Sequence, residues 1–164
     1  MWINAVNLNA KEFQMITAAN VAQPATSHYA HSIEKVLDSG YQDLDRIRGQ
    51  ARIPVMHGTA GQVLTTLQSR VGREALGITF VAESMGMSKR TLQRRLKAQM
   101  VHYAGLRDRV RFNRAIHCLL IEKMSIEATS SYLDFSDRTS FTNAFKRWSD
   151  LSPSTFRKLY RDYV

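Results

Sequence analysis

Apolar residues along this chain recur at helical spacing, and the pattern sharpens toward the C-terminus. Up to about residue 25 polarity is mixed and periodicity weak. His28–Gly40 reads as a short helix that Gly40 would stop, and Tyr41–Arg48 as another turn or two. Gln50–Gly61 carries Pro54, Gly58 and Gly61 and reads as a connector. From Gln62 onward Val63, Leu64, Leu67 and Val71 share a helical face, with Gly72 or Gly77 as the end. A longer helix is expected from about Tyr103 to Ile121. Leu106, Val110, Ile116, Leu119 and Leu120 are its apolar positions, interleaved with Arg107, Arg109, Arg111 and Arg114. Further stops fall at Gly86, near Lys123, near Asp134 and at Pro153. Nothing after Gln62 reads as a strand of any length, so the expected fold class is all-α.

Two segments 48 residues apart are alike. Ile78–Thr91 and Ile126–Thr139 both run through a short helix, a turn, an apolar residue and Ser-x-Arg-Thr into a second helix. That order is what a helix-turn-helix needs. Ala82 and Ser130 are small enough for the second helix to pack closely. The turn needs a residue that tolerates left-handed backbone: Gly86 does so freely, Asp134 at some cost. Met87 and Phe135 would plug the core. Ser88 and Ser136 are expected N-caps, at helix ends whose amides can also meet a phosphate.

Wheel arithmetic separates the faces of the second helix in each unit. With roughly 100° per residue, Leu92 and Leu96 share the inward side, while Arg90, Gln93, Arg94 and Lys97 project outward. Arginine can grip guanine with two hydrogen bonds, and glutamine can do the same for adenine. In the second unit Phe141, Phe145 and Trp148 form the inward stripe. Thr139, Asn143 and Lys146 lie opposite, flanked by Arg138 and Thr142. The candidate base-facing set is therefore Arg90, Gln93, Arg94, Lys97, Arg138, Thr139, Thr142 and Asn143. The candidate phosphate set is Ser88, Lys89, Ser136, Lys146 and Arg147. A linking helix of about 19 residues would span ~28 Å, close to the ~34 Å repeat of the major groove along one side of B-DNA.

Charge supports this reading and composition narrows it. The 164 residues carry net charge +9. Residues 1–76 hold 7 basic and 6 acidic side chains, whereas residues 77–164 hold 16 and 8, so the excess sits with the paired units. A basic half-chain suggests a polyanion partner. The single cysteine, Cys118, excludes an internal disulfide and a cysteine-built zinc site. Adjacent helical residues point about 100° apart, so His117 and Cys118 do not form a nucleophile pair and a buried structural role is expected. His28, His31 and His57 show no third ligand at metal-binding spacing. There is no glycine-rich phosphate loop and no HExxH, so no enzyme and no cofactor are expected. The longest apolar stretch, near Ala115–Ile121, is broken by His117 and is far short of the ~20 residues of a membrane span. With no signal-peptide pattern at Met1-Trp2-Ile3-Asn4, a cytoplasmic protein without membrane contact is expected.

Across about Gly61 to Tyr160 the sequence resembles the DNA-binding region of the AraC/XylS family of transcription regulators. VAESMGMSKRTLQRRL, the central RVRFNRA (Arg109–Ala115) and LDFSDRTSFTNAFKRWSDLSPSTFRK (Leu133–Lys158) carry the resemblance. It implies a DNA-binding domain over residues 61–164, with two helix-turn-helix units, about residues 78–99 and 126–148, joined by a linking helix. Residues 1–60 read instead as a short, mostly helical segment, too few and too helical for the β-barrel domain that family members often carry there. It also implies a sequence-specific regulator of double-stranded DNA, activation more than repression, and RNA polymerase as a candidate partner. Arg90, Gln93 and Arg94 match the base-facing part of the family's first recognition helix. Arg138, Thr139, Thr142 and Asn143 match the second, and Arg111 matches a linking-helix arginine expected to support structure or contact phosphate. Asp134 stands where the family usually has glycine, and Thr129-Ser130 where it usually has an apolar pair. Both departures predict a looser second unit. Two unlike heads on one chain predict an asymmetric site that a monomer could read. The competing reading is a basic helical adaptor for an acidic protein partner, with degenerate DNA-binding heads.

Overall fold

The computed structural model describes residues 40–163, which contain eight helices and no strand. Helix α1 covers residues 40–51. It is followed by α2 (Gly58–Arg70), α3 (Ile78–Ser84), α4 (Lys89–Ala98), α5 (Tyr103–Leu120), α6 (Ile126–Tyr132), α7 (Arg138–Ser149) and α8 (Pro153–Tyr160). The all-helical class and the pair of helix-turn-helix units, α3–α4 and α6–α7, are as the apolar spacing predicts.

Two cores form, and α5 is a wall of both. Val63, Leu64 and Leu67 of α2, Val81 of α3, Leu92 and Leu96 of α4, and Leu106 and Val110 of α5 make the first. Phe112, Ile116, Leu119 and Leu120, later on α5, meet Phe141 and Phe145 of α7 and Phe156 and Tyr160 of α8 in the second. The second core is aromatic: Phe145 stands edge-on to Phe112, Phe141 and Phe156, with centroids 5.8, 5.8 and 5.2 Å away. Edge-to-face pairs at these distances contribute beyond simple area burial. Trp148, expected on the inward stripe, is half-buried at its edge, 5.4 Å from Phe112.

Several boundaries differ from the expected ones. Backbone at Gly40 is already helical, and α1 runs to Ala51 because Leu44, Ile47 and Ala51, at helical spacing, bury themselves in the second core. Packed structure thus begins ahead of residue 61, and the connector shrinks to residues 52–57. Helix α2 starts at Gly58, four residues before the expected point. Pro153 does not end a helix but opens α8 at its first turn, where its missing N–H costs nothing. Asp150, left-handed at φ 61°, ends α7 instead. The helix expected over His28–Gly40 lies, but for Gly40, outside the described residues, as do His28 and His31.

The second unit is not loosened by its polar residues. Thr129 and Ser130 are buried, but both hydroxyls have partners: Thr129 Oγ1 donates to the Ser125 carbonyl at 2.8 Å and Ser130 Oγ to the Asp137 carbonyl at 2.9 Å. A satisfied buried hydroxyl carries little of the penalty of an orphaned one. Phe145, fully buried at the centre of the aromatic cluster, is the most sensitive core position. Phe145→Ala is expected to lower unfolding free energy by about 3–5 kcal/mol, measured by urea denaturation.

Candidate nucleic-acid interface

The first recognition helix is built by a cap and a two-sided pattern. Ser88 caps α4, its Oγ accepting from the Thr91 amide at 3.2 Å. Gly86, left-handed at φ 66°, makes the turn before it. Leu92 and Leu96 are buried, which forces the other sides of α4 outward. Arg90, Gln93, Arg94 and Lys97 are all exposed, as is Lys89 in the first turn. Among the described residues none forms a hydrogen bond or ion pair with these five side chains. Three cations and an amide on one outer face, none neutralised within the fold, are available to an external anion and to base edges.

The second recognition helix begins one residue later than the repeat predicts. Its cap is Asp137, not Ser136: Asp137 Oδ1 accepts from the Ser140 amide at 2.7 Å. Ser136 Oγ instead donates to Asp137 Oδ2 at 2.8 Å. The caps Ser88 and Asp137 are therefore 49 positions apart, although Ile78 and Ile126, which open the preceding helices, are 48 apart. The extra residue lies in the second turn. It makes Arg138 the structural counterpart of Lys89, Thr139 of Arg90, Thr142 of Gln93, Asn143 of Arg94 and Lys146 of Lys97. Sequence held a signal for this slip, because the inward pairs Leu92/Leu96 and Phe141/Phe145 are themselves 49 apart. Ser-x-Arg-Thr, matched at 48, concealed it.

The slip changes what the helix end can do. Backbone and hydroxyl hydrogen bonds, first from Ser140 and then from Ser136, hold the Asp137 carboxyl down at about 2. At neutral pH the N-terminus of α7 thus carries its own anion, which opposes the phosphate expected there and at Ser136. Helix α4, capped by neutral Ser88, has no such anion on its cap residue. Arg138, Thr139, Asn143 and Lys146 are exposed and Thr142 is half-buried.

Two of the predicted phosphate ligands are committed elsewhere. Arg111 is only 5% exposed. Its Nη2 donates to the Asp134 carbonyl and lies 3.5 Å from Asp134 Oδ2, and its guanidinium sits 4.2 Å over the Phe135 ring. Burial, reinforced by Arg107, pulls its pKa down to about 10. It is an internal brace of the second turn and cannot reach a phosphate. Arg147 is exposed but turned back on Asp108 at 2.9 Å. An exposed pair of this kind holds weakly. Elsewhere on α5, Arg114 pairs with Glu122 at 2.7 Å and bonds the Tyr132 hydroxyl, and Arg109 donates to the Arg52 carbonyl.

Cys118 is buried, and that burial pushes its thiol up to about 12. His117, expected to be buried with it, is instead exposed, because it lies on the outer side of α5 beside Arg114 and Glu122. His57 is exposed at the start of α2, its carbonyl accepting from the Gln99 amide. No helix among the described residues is long and apolar enough to cross a membrane.

Comparison with known proteins agrees with this architecture. The family described as "Helix-turn-helix domain" matches residues 81–159. That match agrees with the AraC-type resemblance of the sequence. Its curated relatives are named as transcriptional regulators. The HTH-type transcriptional regulator VqsM of Pseudomonas aeruginosa is 34% identical over 83 residues, 51% of this chain and 26% of VqsM. An uncharacterized HTH-type transcriptional regulator of Mycobacterium tuberculosis is 30% identical over 80 residues, covering 49% of this chain and 23% of its own length. The chain thus matches about a quarter of the length of these relatives. The crystal structure of the transcriptional regulator CdpR from Pseudomonas aeruginosa is 31% identical, with a TM-score of 0.56 over 62% of this chain and 32% of CdpR. A DNA-binding transcriptional dual regulator from Escherichia coli K-12 shares the fold at 19% identity, with a TM-score of 0.56 over 62% of this chain and 97% of its own.

Because the folded Asp137 carboxyl titrates below its usual value of 3.8, its contribution to stability is complete above about pH 4 and is lost as pH falls toward 2. Asp137→Asn, which keeps a capping oxygen but cannot titrate, should flatten the acid-unfolding profile across that window, followed by far-ultraviolet circular dichroism.

Proposed function

We propose that this chain reads double-stranded DNA sequence-specifically and regulates transcription. The observation that carries the proposal is the outer face of α4. Arg90, Gln93, Arg94 and Lys97 stand exposed and unneutralised there, opposite the buried Leu92 and Leu96. In this reading α4 lies in a major groove, where Arg90, Gln93, Arg94 and Lys97 meet base edges and Lys89 and the Ser88 end of the helix meet phosphate. On α7 the corresponding face offers Thr139, Thr142 and Asn143 to bases and Lys146 to phosphate. Arg138, as the counterpart of Lys89, moves to the phosphate group. The second head has fewer cations on its outer face and an anionic cap, so α4 supplies more of the affinity and α7 discriminates more than it attracts.

Helix α5 spaces the heads. Its 18 residues span roughly 27 Å, which suits two successive grooves on one side of the duplex. One chain would then cover an asymmetric site of two unlike halves. The resemblance to the AraC/XylS family favours activation through contact with RNA polymerase.

Selection from random duplexes with the full chain tests the reading: a two-part asymmetric motif is expected, and failure to enrich any motif would overturn it. Arg94→Ala should then cost about 1–3 kcal/mol, confined to one or two base pairs of the motif. An equal loss on every sequence would reassign Arg94 to phosphate. Affinity for duplex should fall steeply with salt, as counterion release requires. An absence of measurable affinity at low salt would favour the protein adaptor instead.

A further inference from the structure

We propose that Asp134 is a positioning residue that sets the gap between the two halves of the DNA site, an inference that rests on the reading above. Its backbone is left-handed at φ 58° in the turn of the second unit. Its side chain leaves that unit altogether. Asp134 Oδ2 accepts from the Leu76 amide at 2.8 Å, across 58 positions of sequence. Leu76 is fully buried in the first core, two residues ahead of α3.

The other side of the same residue is also held. The Tyr103 hydroxyl, at the start of α5, donates to the Leu76 carbonyl at 2.9 Å. Arg111, two turns further along α5, takes both the carbonyl and the carboxylate of Asp134. The backbone that leads into the first unit, the turn of the second and the linking helix therefore meet at one hydrogen-bonded node. The two hydrophobic cores are otherwise separate clusters, with half-buried Val71 packed against both. A directional bond between such bodies fixes an angle that apolar contact leaves free to slide. Angle matters here because one base pair inserted between two half-sites rotates them by roughly 35° about the duplex axis.

Asp134→Gly and Asp134→Asn both remove the carboxylate charge beside Arg111, but only Asp134→Gly removes the acceptor of the Leu76 amide. Glycine adopts the left-handed backbone without strain and keeps the carbonyl that Arg111 uses, but it leaves the Leu76 amide without its acceptor. Asp134→Asn retains an acceptor oxygen. Tyr103→Phe removes the bond on the Leu76 carbonyl without touching Asp134. The experiment measures affinity for duplexes in which the two selected half-sites are separated by the selected gap or by one base pair more or fewer. For the wild type a gap error should cost about tenfold. For Asp134→Gly the same error should cost less than about threefold, with half-site preferences unchanged, and Asp134→Asn should keep the wild-type penalty. Tyr103→Phe should also relax it. A uniform loss of affinity that leaves the gap penalty intact would overturn the proposal, since a merely structural role predicts that result. So would an Asp134→Asn variant as relaxed as Asp134→Gly, because the amide bond would then not be the tie. Hydrogen exchange at Leu76 without DNA keeps the two readings apart. It should be slow in wild type and Asp134→Asn and accelerated in Asp134→Gly, and unchanged exchange would overturn the tie even if DNA recognition stands. Accelerated exchange beside a wild type that selects no two-part motif would instead overturn the DNA reading, and the role in spacing with it.

Discussion

A buried guanidinium must be neutralised where it stands, and in this protein the need falls on Arg111. Moving an ion out of water costs several kcal/mol unless charge and hydrogen bonds replace the lost hydration. Arg111 lies on the helix shared by both cores, with 7% of its side chain exposed. Its partners are Asp134 and the face of Phe135, both in the turn of the second unit. Neutralising Arg111 therefore holds that turn against α5. With the turn in place, the Asp134 carboxylate can reach the Leu76 amide of the first unit. An arginine that charge alone would assign to the DNA surface is thereby part of what holds the two heads to one frame.

The two heads are built alike but are not electrostatic copies. In the first, a neutral serine cap and a dense cationic face leave positive charge unopposed. In the second, one extra residue in the turn brings in Asp137 as the cap, and its carboxylate sits where a helix end would otherwise attract an anion. The outer face there carries hydroxyls and an amide in place of two arginines. The two units therefore present unlike outer faces, one dense in cations and one mostly neutral.

The polar substitutions in the second unit obey the same logic of satisfied groups. Thr129 bonds back into its own helix start, and Ser130 reaches forward to the carbonyl of the next helix's cap. Both hydroxyls sit in the interior, where an unpaired one would cost more than its methyl counterpart gains. They thus add direction to the packing of α6 on α7 without opening the core.

Local patterning was enough to read the helices, the two units, the inward leucines and phenylalanines and the outward face of α4, because each depends on residues within a turn or two of one another. Even the one-residue slip of α7 was written in the spacing of Phe141 and Phe145, although a matching tetrapeptide outweighed it. Other features depend on groups far apart in sequence and have no periodic signature. Leu44, Ile47 and Ala51 look like an ordinary short helix until Phe156 and Tyr160 arrive from the opposite end of the chain to cover them. Arg111 is one more arginine in a basic helix until burial removes it from solvent. Asp134 looks like a poor glycine until Leu76, 58 positions away, presents an amide to it. Burial and long-range hydrogen bonding are properties of the assembled cores, so they became visible only with the packed molecule.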